Sequence, residues 1–138
     1  MKINIISSTN KQVKQGYFNI ITGGKYELNK RILETKYVSL LLDPEPSEKD
    51  FMSYKNSGLN QVLAKLAKKR NVGIGFSLSR FNNLNKLDKA NLLGKILQNI
   101  MLCNKYKVKY YIVRFINYNN NDINALALSL GIKKVNII

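Results

Sequence analysis

The side chains of this sequence that could do chemistry are mainly cationic. The chain has 23 Lys and Arg against eight Asp and Glu, which gives a formal net charge of +15 at pH 7. Three consecutive basic residues, Lys68 to Arg70, end a predicted helix, and Arg80 follows the next predicted strand. Such residues also serve an ordinary structural role, because cations at a helix C-terminus complement its dipole. The overall excess nevertheless predicts a polyanionic ligand, since Lys and Arg bind phosphate oxygens.

The absence of histidine sharply narrows the enzymatic options for this sequence. It contains no histidine, which removes the commonest general base, the commonest metal ligand and every nucleophile that depends on histidine. Its single cysteine, Cys103, allows neither an internal disulfide nor a thiolate metal cluster, and we expect it to be buried. The GGK at 23–25 and the GIG at 73–75 lack the context of phosphate-binding loops. We therefore expect no catalytic residue, no metal site and no cofactor.

Half of the acidic residues crowd one short loop at 43–50. These are Asp43, Glu45, Glu48 and Asp50. The loop has neither histidine nor the spacing of a calcium loop, so we predict a solvated turn rather than a metal site. The rest of the chain carries 22 basic and four acidic residues. An AT-rich coding bias would favour lysine without suppressing Asp and Glu, so a polyanionic partner is the simpler explanation.

A helix followed by a buried strand, at 56–81, is the clearest structural pattern. The predicted inward helix face consists of Leu59, Val62, Leu63, Leu66 and Ala67. From Val72 the apolar period changes to two, which places Ile74 and Phe76 on one side of a strand and Gly73 and Gly75 on the other. This succession is typical of an α/β protein.

The same alternation extends over the whole chain. The patterns predict further strands at 2–7, 17–22, 37–42, 108–115 and 133–138, and helices at 27–35, 86–106 and from about 119 to Gly131. For the long helix we predict an inward stripe of Leu93, Ile96, Leu97, Ile100 and Met101. Tyr110 and Tyr111 point to opposite faces of a predicted strand. We expect both rings to pack mainly in the core rather than to stack on RNA.

The alternation predicts one α/β domain, at 1–138, with about five or six mostly parallel strands. An open sheet and a partial barrel both fit the pattern. In either, residues that follow strands share one rim, and residues at helix ends share the other. The first rim is expected to hold Asp43, Ser79, Arg80, Arg114 and Asn117. The second is expected to hold Lys69, Arg70, Lys105, Lys107, Lys133 and Lys134. No apolar run is long enough to span a bilayer and no signal peptide precedes the domain, so we expect a cytoplasmic protein without membrane partners.

Three segments of the sequence resemble the archaeal and eukaryotic ribonuclease P protein component 3 family. The first, GGKYELNKRILETKYVSLLLDPEP at 23–46, is similar to that family's glycine turn, helix, strand and proline loop. The second and third are NSGLNQVLAKLAKKRNVGIGFSLS and NLLGKILQNIMLCNKYKVKYYIV. The likeness runs in order over about residues 17–132. There are departures: Asn56 and Gln61 replace a frequent aspartate and histidine, and Arg114-Phe115 replaces a serine-rich step.

This resemblance implies a shortened TIM-barrel-like (β/α) fold, because the chain is shorter than is usual for the family. It also implies a non-catalytic subunit of ribonuclease P, an RNA-based endonuclease that removes the 5′ leader of precursor tRNA. The implied partners are ribonuclease P RNA, precursor tRNA, a small ferredoxin-like protein subunit and other subunits of the holoenzyme.

For RNA contacts we select seven basic residues at the two rims. They are Lys68, Lys69, Arg70, Arg80, Lys105, Lys107 and Arg114. Two other functions fit parts of the sequence. A general basic RNA-binding or ribosome-associated module would share the charge, whereas a barrel-type metallophosphoesterase would need the clustered histidines that the sequence does not contain.

Overall fold

We describe the fold from a computed structural model of the chain. The structure describes residues 2–7, 12–47, 56–114 and 119–138. Glu48 and Asp50 of the predicted solvated turn and Asn117 of the first predicted rim lie outside these ranges.

From the second strand onward, strands and helices alternate along the chain, as predicted, whereas the described residues between the first two strands contain no helix. The strands are β1 Ile3–Ile6, β2 Phe18–Thr22, β3 Val38–Leu42, β4 Gly73–Ser77, β5 Tyr110–Val113 and β6 Val135–Ile137. The helices are α1 Tyr26–Glu34, α2 Gln61–Arg70, α3 Lys86–Tyr106 and α4 Asn120–Ser129. A short 3-10 helix, Leu78–Phe81, follows β4.

The strand order distinguishes between the two architectures that fitted the sequence. All six strands are parallel and lie in one sheet in their order along the chain, β1-β2-β3-β4-β5-β6. A doubly wound sheet reverses its strand order at a switch point, whereas a (β/α) barrel adds each strand beside the previous one. The fold is therefore the predicted TIM-barrel-like arrangement, with β1 and β6 at the two edges of the described sheet.

The sheet has an apolar core on each face. The outer face packs against the helices through a large cluster that includes Ile74, Phe76 and Ile112. The inner face has a smaller cluster, formed by Ile20, Leu40, Leu42 and Val113, with each side chain at most 3% exposed. These residues come from β2, β3 and β5 and pack on one another, so the sheet is curled around its own inner face.

Local sequence signals fix where the helices begin and end. Asn60 and Asn85 are the N-caps of α2 and α3, and their side chains accept hydrogen bonds from the backbone N–H groups of Leu63 and Asp88. Asn71 and Lys107 end the same helices in left-handed conformations, with φ of 56° and 58°. The caps aim β4 and β5 into the sheet directly after the helices.

The predicted inward faces of α2 and α3 were wrong at three apolar positions. Val62 is 58% exposed, Leu93 is 36% exposed and Met101 is 72% exposed. In α3 the buried face instead includes Lys95 and Asn99. Lys95 donates a hydrogen bond to Pro46, and Asn99 donates hydrogen bonds to Glu45 and Ser57. This face of α3 therefore packs against a polar loop, which the spacing of apolar residues does not predict.

Candidate nucleic-acid interface

The amino-terminal ends of the strands form a strongly basic edge. In a parallel βα arrangement each helix runs back against the strands, so its C-terminus lies beside the amino end of the next strand. Lys68, Lys69 and Arg70 are in the last turn of α2, and Lys105 is in the last turn of α3. The topology therefore brings together basic residues that are distant in sequence.

We call this surface the basic edge and define it by exposed Lys and Arg at helix C-termini and in the segments that lead into strands. Its members are Lys2, Lys14, Arg31, Lys36, Lys68, Lys69, Arg70, Lys105, Lys107, Lys109, Lys133 and Lys134. Within the described ranges, Glu34 in the last turn of α1 is the one acid at this edge. A surface of this sign attracts phosphates at long range.

Clefts cut into the basic edge at three places. One, of about 240 Å³, is lined by Lys107, Lys109, Lys133 and Lys134. A second, of about 450 Å³, opens on the inner face of the sheet beside Arg70 and Lys109. A small notch of about 30 Å³, lined by Lys68 and Lys107, lies between α2 and the start of β5. Basic residues thus line concave parts of the basic edge.

The guanidinium of Arg70 is held in place by α1. Its Nε donates to the carbonyl oxygen of Leu33 at 3.2 Å, and its Nη2 donates to the carbonyl oxygen of Glu34. These carbonyl groups belong to the last turn of α1, where carbonyls have no backbone N–H partner within the helix. Arg70 therefore joins two helices at the basic edge and presents a fixed positive charge there.

Two of the seven selected residues lie at the opposite edge, where the strands end. Arg80 donates from Nη1 to Glu45 Oε1 at 2.5 Å and lies 3.6 Å from Asp43 Oδ1. Arg114 donates from Nη1 to the side chain of Asn120. The structure thus brings Lys68, Lys69, Arg70, Lys105 and Lys107 together and separates Arg80 and Arg114 from them.

The predicted solvated turn after β3 was wrong for the part of the loop that the structure describes. Glu45 is 1% exposed and Pro44 and Pro46 are buried. Glu45 Oε2 accepts a hydrogen bond from Asn99 Nδ2 at 2.6 Å, and Lys95 Nζ donates to the carbonyl oxygen of Pro46 at 2.7 Å. The loop is buried because α3 supplies polar partners for its carbonyl and carboxylate oxygens.

Burial dominates the electrostatics of this loop. Desolvation raises the pKa of Glu45 to about 7, although the positive charge of Arg80 and the hydrogen bond from Asn99 oppose the shift. Desolvation also raises the pKa of Asp43, against hydrogen bonds from the backbone and hydroxyl of Ser77. The partners of both acids are thus groups of the protein itself, which lie in β4, the 3-10 helix and α3.

Sequence reasoning missed Lys95, Asn99 and the contribution of Lys109 to the basic edge. Lys109 leads into β5 in the sequence YKVKYY, where a basic residue next to a strand was a detectable signal. Lys95 and Asn99 gave no such signal, because polar residues one turn apart on a helix usually face solvent. In the described part of the chain, no three His, Cys, Asp or Glu side chains are grouped as metal ligands. None of its helices is long and apolar enough to cross a membrane.

Comparisons with known proteins find similarity to one group of archaeal proteins. No protein-family model matches the chain. Ribonuclease P protein component 3 of Methanococcus vannielii is 33% identical over 86 residues, which cover 62% of this chain and 35% of that protein. The protein of the same name from Thermococcus kodakarensis is 28% identical over 118 residues, which cover 82% of this chain and 50% of that protein.

A solved structure gives the same result. One chain in the cryo-EM structure of archaeal ribonuclease P with mature tRNA matches with a TM-score of 0.68 and 26% identity, over 82% of this chain and 48% of that chain. The sequence comparison thus confirms the resemblance to ribonuclease P protein component 3, and the fold is similar to that of a chain of archaeal ribonuclease P. The chain spans about one third to one half of the length of these relatives.

Proposed function

We propose that this relative of ribonuclease P protein component 3 is a non-catalytic protein subunit of ribonuclease P. It binds and supports the catalytic RNA during removal of the 5′ leader from precursor tRNA, and it acts in the cytoplasm. The observation that carries the proposal is the basic edge, a surface with one described acid, on a chain whose relatives bear that name.

The basic edge supports contact with the RNA backbone rather than with base edges. Its lysines are exposed, and a lysine attracts RNA phosphates whatever the base sequence. Such a surface is suited to binding the phosphates and the shape of a folded RNA. Lys68, Lys69, Arg70, Lys105 and Lys107 form the proposed contact surface. Arg80 and Arg114 remain proposed contacts at the other edge, where a second RNA segment or precursor tRNA would have to lie.

The proposed protein partners follow from the family resemblance. They are the small ferredoxin-like subunit and other subunits of the holoenzyme. The first-turn acids Glu27, Asp88 and Asp122, which lie toward the carboxyl-terminal edge of the sheet, are proposed to pair with basic groups of a protein partner.

Reconstitution tests the proposal directly. The 5′-leader removal rate is measured with ribonuclease P RNA and the other protein subunits, with and without this chain. We expect a higher rate with the chain present. Equal rates, together with no binding to ribonuclease P RNA in dilute buffer, would contradict the proposal. Equal affinity for ribonuclease P RNA, precursor tRNA and duplex DNA would instead indicate a general basic RNA-binding or ribosome-associated module.

A matched pair of variants tests the basic edge within the same assay. Lys68→Ala/Lys69→Ala removes two charges at the basic edge, and Lys86→Ala/Lys89→Ala removes two exposed charges at the other end of the molecule, in the first part of α3. Each phosphate contact contributes roughly 0.7–0.9 to the slope of log affinity against log salt. We expect the first variant to lower the slope by roughly 1.4–1.8 and the second to leave it unchanged. Equal effects would exclude a localised contact surface.

A further inference from the structure

We propose that the inner face of the sheet carries, where it meets the basic edge, a binding pocket for one nucleotide of single-stranded RNA. In this tyrosine pocket, Tyr37 and Tyr111 stack on the base and Lys109 and Arg70 attract the phosphate. The inference deepens the proposed RNA-binding function and rests on it.

The pocket has a suitable size and lining. It encloses about 450 Å³, within the several hundred Å³ usual for small-ligand sites. Its walls contain the four aromatic residues Tyr17, Phe18, Tyr37 and Tyr111 and the two basic residues Arg70 and Lys109. Aromatic faces beside cations are the combination that proteins use to hold single-stranded nucleic acid.

Glycines in β4 make room for the pocket floor. A Cβ atom on Gly73 would lie 2.4 Å from Cε1 of Tyr111, so the ring lies flat across a strand position that has no side chain. Gly75 continues the same strip of bare backbone. The Phe18 ring packs against Tyr111 with centroids 5.7 Å apart, which fixes the floor from the β2 side. Tyr111 remains partly exposed toward the pocket.

Tyr37 forms a wall of the pocket in a backbone conformation that is unfavourable for a tyrosine. Its φ is 66° and the residue is 54% exposed, so much of the burial that could compensate for the strain is absent. The conformation is held by Asn19, which is fully buried and donates from Nδ2 to the carbonyl oxygen of Tyr37 at 2.7 Å. An exposed aromatic ring held in this way is available for a ligand.

Basic residues lie beside the aromatic rings of the pocket. Arg70 is fixed to the end of α1, and Lys109 precedes Tyr111 by two residues and lines the same pocket. Lys14 Nζ lies 5.3 Å and Lys2 Nζ lies 5.6 Å from the centroid of the Tyr17 ring. Cations thus lie on more than one side of the aromatic rings, as the 5′ and 3′ phosphates lie on either side of each nucleoside in an RNA strand.

The concave shape selects single-stranded RNA. A base inside a duplex has both faces covered by its neighbours and is inaccessible to a pocket wall, whereas an unpaired base can turn into a pocket and stack there. Duplex RNA can still contact the lysines of the basic edge through its phosphates.

The test compares two substitutions at Tyr37. Tyr37→Asn removes the ring but suits the left-handed backbone, so the fold should be at least as stable as that of the original chain. Tyr37→Phe retains the ring and is the matched control. Binding of a fluorescein-labelled five-nucleotide oligoadenylate and of a twelve-base-pair RNA duplex is measured by anisotropy. We expect Tyr37→Asn to weaken oligoadenylate binding about 5- to 100-fold and to leave duplex binding unchanged.

Other outcomes would overturn the pocket and leave the proposed function standing. These are equal oligoadenylate affinity for Tyr37→Asn and the original chain, equal losses on oligoadenylate and duplex, or the same loss with Tyr37→Phe. If the original chain binds neither probe nor ribonuclease P RNA, the proposed function itself fails. Competition with AMP identifies the source of the nucleotide: displacement by AMP at concentrations similar to the oligoadenylate Kd assigns a free nucleotide, and displacement only at much higher concentrations assigns RNA.

Discussion

Glu45 is an acidic residue in surroundings that disfavour its charge. The carboxylate lies fully buried between Arg80 and Asn99, and the cost of removing it from water exceeds what these partners return, so its pKa rises to about 7. The same contacts join the loop after β3 to the 3-10 helix and to α3. Arg80 consequently stabilises the fold by its contact with Glu45. Any contact that Arg80 makes with RNA has to use the part of its guanidinium that Glu45 leaves accessible.

The raised pKa of Glu45 predicts a pH-dependent stability. Between its unfolded value of 4.5 and its folded value of about 7, the folded chain binds more protons than the unfolded chain. The free energy of unfolding should therefore fall as the pH rises through this range, by at most roughly 3 kcal/mol at 1.36 kcal/mol per pKa unit. The measurement is urea denaturation, followed by circular dichroism, at several pH values between about 4.5 and about 8.

Glu45→Gln is the control for this prediction. The amide does not ionise, so the fall in stability over the same range should be much smaller, with the remainder due to Asp43, whose pKa burial also raises. The chain contains no histidine, which removes the usual source of titration in this interval. Stability that rises from pH 5 to pH 7 in the original chain would contradict the prediction.

The helix C-termini show how one element can serve both folding and binding. α2 ends at Asn71 and α3 ends at Lys107, and both residues adopt the left-handed conformation. Asparagine tolerates this conformation well, whereas lysine carries the Cβ cost. Lys107 also lines two of the clefts of the basic edge. A charged residue therefore occupies a position that stability alone would give to glycine.

Lys107→Gly should separate stability from RNA binding. Relief of the left-handed strain is expected to stabilise the fold by about 1 kcal/mol, and loss of the charge is expected to lower the salt slope of RNA binding by roughly 0.7–0.9. Thermal denaturation and salt-dependent anisotropy measure the two effects. Lys133→Gly, a substitution of another basic-edge residue that has no left-handed conformation to relieve, is the matched control. If Lys107→Gly lowers the Tm, the conformational explanation is wrong.

On the scale of the whole molecule, topology converts a rule about helices into a polarised surface. Basic residues stabilise helix C-termini and acidic residues stabilise N-termini. Arg31, Lys68 and Lys105 follow this rule at one end of the molecule, and Glu27, Asp88 and Asp122 follow it at the other. In a parallel βα fold all helices run in the same direction, so their cations accumulate at one edge. The basic edge thus has a folding role in addition to its proposed role in RNA binding.

The net charge of +15 predicts opposite salt effects on folding and on RNA binding. Repulsion between like charges destabilises the compact state, and salt screens it, so the Tm of the free protein should rise between about 20 and about 200 mM salt. RNA affinity should fall over the same range because counterions compete for the phosphates. Differential scanning fluorimetry with and without RNA measures both. A Tm of the free protein that falls with salt would contradict the role of repulsion.

The sequence by itself determined the class of fold, most element boundaries, the absence of histidine chemistry and the family resemblance. Each of these depends on local periodicity, composition or motif order. It did not determine the curled sheet, because both a barrel and an open sheet produce the same alternation. Only the tertiary structure placed Arg80 against Glu45, buried Lys95 and Asn99, and turned Val62 and Met101 outward. These outcomes depend on which side chains meet across 35 to 54 residues of sequence, as Lys95 meets Pro46 at a separation of 49. Local periodicity contains no information about such pairs.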